Sequence, residues 1–370
     1  MSNSLVPQRW LVIILTHNEP ISLIEACLHS VRQAADVLMA QYATCTVHVR
    51  VVDDSAPQLR LMLQEVNDSL GIELVHSVGT ISQKRNSGCK NSDADVIVFT
   101  DADCQVDQQW LVAHASAYAK YPTAPGVAGV TIHQAESTLD YTAARYAGFL
   151  VGFRFPEMTP TTLWAPCSNL SIRMDTFSKV GGFDEVFTFA AEDVDLGLRI
   201  CAMSDQRIVC QPSALVYHAP EPFARGIYRR VWAWGKGEAL LLTRHARHLV
   251  PSPPPLVLFT LLSLGWALTN ALVHRKLAAI AIFLAIYVFG GPFLEVWETK
   301  ASWSVIIRAR LLQMLFQLGT CVGLLKAKRL DLLGKKMNYG EGQFTHEWPA
   351  AVRTVWEFFL FLLLAGATVW

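Results

Sequence analysis

The sequence predicts an α/β fold, a mostly parallel sheet with crossover helices, followed by an α-helical region suited to a membrane. Three observations predict it. Short apolar runs rich in β-branched residues alternate with helix-length segments over the first third of the chain. Each run stops at a polar cluster, as strands buried on both faces do when they reach a sheet edge. After Pro251 the composition turns apolar, in stretches close to the ~20 residues that cross a bilayer.

The elements follow in order. Trp10–Leu15 (WLVIIL) reads as the first buried strand and ends in Thr16-His17-Asn18-Glu19. Pro20, well suited to a first helical turn, opens a helix with apolar positions at Ile21, Ile24, Ala26 and Leu28. Val47–Val52 is the second strand and ends in Asp53-Asp54-Ser55. A helix from Pro57 to about Asn67 and a third strand at Ile72–His76 follow. Thr80–Asn91 (TISQKRNSGCKN) is a short, basic, polar connection. Val96–Phe99 is the fourth strand; it stops at Thr100, before Asp101-Ala102-Asp103, and a helix starts near Asp107. This βαβαβ order implies right-handed crossovers and a nucleotide-binding half.

Alternate side chains of an extended backbone point the same way, so Asp101 and Asp103 can face one ligand together. Two anionic oxygens at a strand's C-terminal end suit Mg²⁺ or Mn²⁺ and the phosphates it carries. Any one polar cluster could be a helix cap. Three at one sheet edge, with Lys84-Arg85 between them, fit a site better than three coincidental caps. Asp53 or Asp54 would accept the ring N–H of a base, and Lys84 and Arg85 would face a diphosphate. Asn86 and Gly88 would let the backbone come close to the nucleotide.

Composition bounds the rest. The 370 residues allow one sizeable domain and an appendage. At 52% apolar and 17% charged, the chain is too apolar for an ordinary soluble enzyme. A formal net charge of zero gives no electrostatic footprint for nucleic acid, so no nucleic-acid partner is expected. The eight cysteines are scattered without C-x-x-C spacing, which favours buried thiols over a disulfide framework or a zinc site. Met1–Arg9 is polar and Trp10–Leu15 too short for a signal peptide, so the first domain is expected in the cytosol.

Farther on, Thr138–Arg154 reads as an amphipathic helix packing an aromatic face of Tyr141, Tyr146, Phe149 and Phe153. Trp164 either stacks on a sugar or fills a core, and Gly181-Gly182-Phe183 closes a helix. Ala190–Cys201 is a helix with Glu192 and Asp193 in its first turn, where the dipole stabilises carboxylates. Asp195 and Arg199 are four apart and can pair. Short strands at Arg207–Cys210 and Ala214–Tyr217 lead to His218.

Taken as a set, several motifs resemble those of family 2 glycosyltransferases with the GT-A fold, a Rossmann-like, mostly parallel sheet. They are Thr16-His17-Asn18-Glu19, Asp53-Asp54-Ser55, Arg85-Asn86-x-Gly88 and Asp101-x-Asp103. Downstream, Ser168–Arg173, Val180–Glu185 and Glu192-Asp193-x-Asp195-Leu196-x-x-Arg199 match in order and spacing, so the resemblance runs from about Trp10 to His218. Cys167 departs from it, standing where a small glycine is common. The resemblance implies an inverting transferase using a UDP- or GDP-type nucleotide sugar. Thr16, Asn18, Glu19, Asp53, Asp54, Lys84, Arg85, Asn86 and Asp101 would surround that donor. Asp103 and Asp101 would ligate Mg²⁺ or Mn²⁺, and His218 would complete the metal shell unless it is a structural residue at a strand end. Asp193 would be the general base, with Glu192 binding the acceptor or orienting Asp193.

The basic, aromatic segment Arg225–Gly237, with Arg229 and Trp234, resembles without matching the Q-x-x-R-W element of processive members. It would cover the donor diphosphate, or lie with Trp and Arg at lipid headgroups; the two readings are compatible. Beyond it, 254–273 and 277–294 read as membrane crossings joined by His274-Arg275-Lys276, and 352–370 as a further one. Ser304–Leu325, interrupted by Arg308, Arg310 and Gln313, is expected to lie along the membrane as an interfacial helix. The expected organisation is thus a catalytic domain over 1–248, with 222–248 as its interfacial segment, and a membrane region over 249–370. The expected location is the cell membrane, multi-pass, with the catalytic domain cytoplasmic; the positive loop at Arg275 and Lys276 runs against that orientation. Such placement suggests a lipid-linked or cell-envelope polysaccharide acceptor. A metal-dependent nucleotidyltransferase and a non-catalytic scaffold or export partner are the rival readings. The first would not need Glu192-Asp193 in this position, and the second has no reason to retain clustered carboxylates.

Overall fold

The computed structural model describes residues 6–134, 138–219, 226–252, 256–273 and 300–339. By internal contacts the chain forms two units: Met1–Glu136 with Leu150–Pro222, and Ser137–Phe149 with Phe223–Trp370. The expected crossings at 277–294 and 352–370 lie outside the described residues.

The first unit opens with β1 (Arg9–Thr16), α1 (Ile21–Gln41), β2 (Thr46–Asp53), α2 (Pro57–Leu70) and β3 (Glu73–His76). Then come α3 (Ile81–Cys89), β4 (Val96–Asp101), β5 (Cys104–Val106), α4 (Trp110–Lys120) and β6 (Gly126–His133). After α5 (Leu139–Tyr146), which belongs to the second unit, follow α6 (Phe155–Met158), β7 (Thr161–Thr162), β8 (Leu170–Arg173), α7 (Met174–Lys179), α8 (Glu192–Ser204) and β9 (Ile208–His218).

Their nine strands make one sheet in the order β3-β2-β1-β4-β8-β6-β9-β5, with β7 on β9. β1, β2, β3 and β4 pair in parallel, β8 runs antiparallel between β4 and β6, and β6 and β9 are again parallel. Period-2 alternation in β1 explains the layering. Trp10, Val12 and Ile14 enter the core beneath α1, with Ile24, Cys27, Leu28 and Val31. Leu11 and Ile13 enter the opposite core, with Ile97, Phe99, Leu170, Leu196 and Ile200. A strand buried on both faces needs apolar residues at every position, which is why WLVIIL shows no polar break.

A buried polar network holds the antiparallel half together. Asn169 accepts hydrogen bonds at Oδ1 from Trp110 Nε1 (2.8 Å) and His114 Nε2 (3.1 Å). Its amide nitrogen donates to the carbonyls of Val130 and Ala214, both at 2.9 Å. Gly129 is required beside it, because a Cβ there would meet the Asn169 amide at 2.4 Å. Ser171 Oγ lies 2.9 Å from His114 Nδ1 and 3.1 Å from the Tyr118 hydroxyl, which extends the network into α4. All eight cysteines are free thiols, and those at 27, 45, 89, 104, 167 and 210 are buried.

Several elements differ from the sequence reading. Thr80–Asn91, read from the sequence only as short, basic and polar, contains α3, opened by a capping box between Thr80 and Gln83. Its periodicity was hidden because buried Ser82, Lys84 and Arg85 replace apolar residues on its inner face. Gly88 admits the sheet rather than a nucleotide, since a Cβ there would meet Val52 at 2.8 Å and Ile13 at 3.1 Å. The single helix expected over Thr138–Arg154 is α5 followed by a 3-10 turn at Val151–Arg154. The two short strands before His218 are one strand, β9, with a register shift against β6 at Gly129/Val130.

The second unit contains α5, α9 (Gly226–Arg244), β10 (Leu249–Pro251), α10 (Leu256–Leu272), α11 (Trp303–Lys326) and β11 (Lys335–Met337). α9 and α11 meet at small residues: a side chain at Gly235 would strike the Phe316 carbonyl, and one at Gly319 the Trp232 carbonyl. Arg308 of α11 pairs with Asp140 of α5 at 2.9 Å, and Tyr228 donates to the same carboxylate at 3.0 Å. Among the described residues, α11, 24 residues long, is the one helix long and apolar enough to cross a membrane, with mean hydropathy 1.4 over its most apolar 18 residues. Length and composition thus admit a crossing by this helix, where the sequence reading expected an interfacial one. Leu256–Leu272, expected to cross, is a 17-residue helix at the short end of what spans a bilayer. Among the described residues a multi-pass arrangement is therefore not supported.

The network around Asn169 predicts two measurable effects. Asn169→Ala removes four buried hydrogen bonds, among them the one made by the buried Trp110 N–H, a loss of about 3 kcal/mol in denaturant unfolding. Burial holds the His114 imidazole at about 4, against its ordinary 6.5, despite the hydrogen bond to Asn169. Its neutral form is favoured by folding, so the stability it contributes is complete above pH 6.5 and is lost as pH falls toward 4. His114→Gln should flatten that part of the stability profile, and an unchanged slope would assign the acid loss to other groups.

Candidate active site

The parallel register brings three strand ends to one level. Thr16 stands opposite Asp53 across β1 and β2, and Leu15 opposite Asp101 across β1 and β4. At β1, Thr16 Oγ1 donates to Asp53 Oδ1 at 2.7 Å. Asn18, at φ 60°, locks the next turn: its N–H donates to Ser55 Oγ and its Oδ1 accepts from Ala56 N, both at 2.9 Å. Glu19 Oε2 accepts the His17 N–H at 2.5 Å, and burial pushes the Glu19 carboxyl up.

Asp53 and Asp54 are separate anions with separate partners. Burial raises the Asp53 carboxyl, but hydrogen bonds from Ser55, Thr16 and Arg60 more than offset this and hold it below the ordinary range. Burial acts the same way on Asp54, outweighed by Lys84 Nζ at 2.9 Å and His17 Nδ1 at 2.7 Å. Lys84 also reaches the Thr16 carbonyl at 3.3 Å. Asn86 is committed elsewhere: its amide bridges Phe183 and Glu185 of the turn before α8.

Asp101 ends β4 and Asp103 precedes β5, whose Cys104 stands opposite His218 of β9. One ligand atom each from Asp101, Asp103, Cys104 and His218 falls within 4.8 Å of the others. His218 Nδ1 lies 2.9 Å from the Ala219 carbonyl, which only accepts, so Nδ1 carries the proton. In the neutral ring Nε2 then presents a lone pair 3.5 Å from Asp103 Oδ1, and two acceptors facing each other suit an intervening cation. Burial holds the Cys104 thiol protonated well above its usual range, leaving two carboxylates and one imidazole as donors. That set fits Mn²⁺ or Mg²⁺.

The second carboxylate group opens α8. Ala191, at φ 71°, turns the chain into the helix in a left-handed conformation that a residue with a Cβ adopts only under strain. Glu192 is buried and Asp193 partly exposed. Burial and the Glu192 charge push the Asp193 carboxyl up to about 7, with Arg85 drawing the other way. Asp195 turns away from them and pairs with Arg199. Arg85 Nη1 donates to Glu192 Oε1, and Nη2 lies 3.4 Å from Asp101 Oδ1, so one guanidinium reaches both carboxylate groups.

Residues 11–181 match the model of glycosyl transferase family 2. The domain over these residues is a family 2 glycosyltransferase. Over 154 residues the chain is 29% identical to the O-antigen biosynthesis protein RfbC of Myxococcus xanthus; the alignment covers 36% of this chain and 12% of that protein. The mannosyltransferase PcManGT from Pyrobaculum calidifontis, solved with GDP-Man and Mn²⁺, shares the fold. It superposes with a TM-score of 0.50 at 15% identity, covering 99% of this chain and 90% of that one. The transferase domain thus has the expected GT-A type of α/β sheet.

The first unit gathers every expected site residue except Arg229 and Trp234. Those two lie on α9 of the second unit, where Arg229 is exposed and Trp234 stands 6.1 Å from Phe149. Arg225 lies outside the described residues. Sequence reading missed Arg60, His17 as a partner of Asp54, and Cys104. Only Cys104 carried a signal, its position directly after Asp103.

The cation site is testable with the metal alone. Calorimetric titration with Mn²⁺ should show one Asp103-dependent site, with Asp103→Asn weakening it at least ~10-fold and His218→Ala by a similar or smaller factor. Unchanged binding in Asp103→Asn would remove that carboxylate from the site.

Proposed function

We propose that the chain is a metal-dependent, inverting, membrane-tethered transferase. It moves a sugar from a UDP- or GDP-type donor to a lipid-linked or cell-envelope glycan. The observation that carries this is Arg85, whose single guanidinium reaches both Asp101 and Glu192. The donor-side edge and the start of α8 are therefore parts of one site.

In this reading Asp53 or Asp54, both kept ionised by their donors, accepts the N–H of the base. Asp54, Lys84 and His17 form a fixed charge cluster beside the ribose and diphosphate. Asp101, Asp103 and His218 would hold the cation, which supplies neutralisation of the charge developing on the leaving diphosphate. Asp193 takes the proton of the acceptor hydroxyl as that oxygen attacks the anomeric carbon from the face opposite the diphosphate, inverting it. A general base works best when its pKa lies near the operating pH, which a value of about 7 satisfies. Burial raises that carboxyl most, and the charge of Glu192, itself tied to Arg85, adds to it.

The tether rests on α11, of whose most apolar window 28% is buried, leaving an apolar surface to cover. The naming of the Myxococcus relative for O-antigen biosynthesis supports a cell-envelope acceptor. The GDP-Man and Mn²⁺ in the mannosyltransferase of like fold make that donor class and that ion the first to assay.

A panel of UDP- and GDP-sugars with Mn²⁺ or Mg²⁺ should show metal-dependent release of nucleoside diphosphate. Pyrophosphate release from a nucleoside triphosphate would mark a nucleotidyltransferase instead. Asp193→Asn should lose ~10²–10⁴-fold in transfer while binding nucleoside diphosphate within a few-fold of wild type. Because the base must be deprotonated, the wild-type rate should fall about tenfold per unit once pH drops below about 7. Near wild-type transfer by Asp193→Asn would place the base elsewhere. Full-length chain released from membranes by alkaline carbonate would exclude the tether.

A further inference from the structure

Arg85 differs from the phosphate ligand its sequence position suggests. It is 4% exposed, on the inner face of α3, and is closed on another flank by the Phe183 ring 5.5 Å from its Cζ. Four groups face it: Asp101 from β4, Glu192 and Asp193 from α8, and the buried thiol of Cys167 ahead of β8. A buried guanidinium keeps its proton, so it can only divide its donors among these neighbours. The division is unequal. The leg to Glu192 is tight, whereas the leg to Asp101, at 3.4 Å, is longer than the ~2.7–2.9 Å of a charge-assisted hydrogen bond. Glu192 Oε2 is buried with no hydrogen-bond partner, so its other oxygen is the carboxylate's one hold.

We propose that Arg85 is a positioning residue that couples the metal-side carboxylate Asp101 to Glu192 at the start of the acceptor-side helix. This rests on the reading of Asp101 and Asp103 as cation ligands. While Glu192 holds the fork, the guanidinium stays loosely on Asp101 and leaves that carboxylate to a cation. Without the Glu192 charge, the guanidinium closes on Asp101 and competes with the cation. In the other direction, a cation at Asp101 loosens the long leg and gives Arg85 more fully to Glu192. Loading of the donor side is thereby felt beside Asp193. A Lys at position 85 would keep the charge but not the two-pronged fork that spans both carboxylates.

The test is a double-mutant cycle read as Mn²⁺ affinity of the full chain by calorimetry, with no donor or acceptor present. Glu192→Gln should weaken Mn²⁺ binding ~10-fold when Arg85 is intact, and by no more than ~2-fold in the Arg85→Met background. Arg85→Lys, chosen in case Arg85→Met does not fold, should likewise lose the coupling. Far-UV circular dichroism and melting confirm that each variant is folded. A role in folding alone would leave the two effects of Glu192→Gln equal, and that equality overturns the coupling. Asp103-dependent Mn²⁺ binding with an additive cycle would sink the coupling and leave the metal reading standing. Mn²⁺ binding that is absent, or indifferent to Asp103→Asn, removes the metal reading and the coupling together.

Discussion

The candidate site depends on one constraint, the register of β1 between its two parallel neighbours. Parallel strands advance together at about 3.3 Å per residue, so a fixed register fixes which residues emerge at a common level. With Thr16 opposite Asp53 and Leu15 opposite Asp101, the ends of β1, β2 and β4 meet at one edge. The register is itself held by burial. Trp10, Val12 and Ile14 belong to one core and Leu11 and Ile13 to the other. A slip of one residue would exchange the two sets and drive Trp10 into a space shaped for Leu and Ile. Apolar packing in the interior thus positions carboxylates at the rim.

The antiparallel half adds what the parallel half lacks. β8 enters between β4 and β6, and the residue just before it, Asn169, ties α4, β6 and β9 by four hydrogen bonds. Such an amide has two acceptor and two donor positions, and here all are used, which makes the junction rigid. β9 can then carry His218 to a place opposite Cys104, next to Asp103. The histidine reaches the candidate cation site through strand pairing across more than a hundred residues of chain.

The carboxylates fall into two electrostatic classes. Asp53 and Asp54 each own several donors that outweigh burial, and they remain fixed anions. Glu192 and Asp193 share a single buried cation between them, and burial with mutual repulsion pushes Asp193 toward neutrality. Fixed charge suits recognition of a ligand, whereas a group titrating near neutral pH suits moving a proton. The same side chain serves either purpose according to how many donors its surroundings supply.

The sequence by itself determined the α/β class, the strands at Trp10–Leu15, Val47–Val52 and Val96–Phe99, and the polar clusters that end them. These are local properties, set by short apolar runs, turn residues and the spacing of two aspartates. It did not reveal α3, whose inner face is polar because it is paired, and hydrophobic periodicity cannot register a buried Lys or Arg. Nor did it reveal Arg60 on Asp53, the proton on His218 Nδ1, or the division of Arg85 between Asp101 and Glu192. Only the tertiary structure decided these points. Each depends on which charges face one another across elements far apart in sequence, and no pattern along a chain records the distance between them.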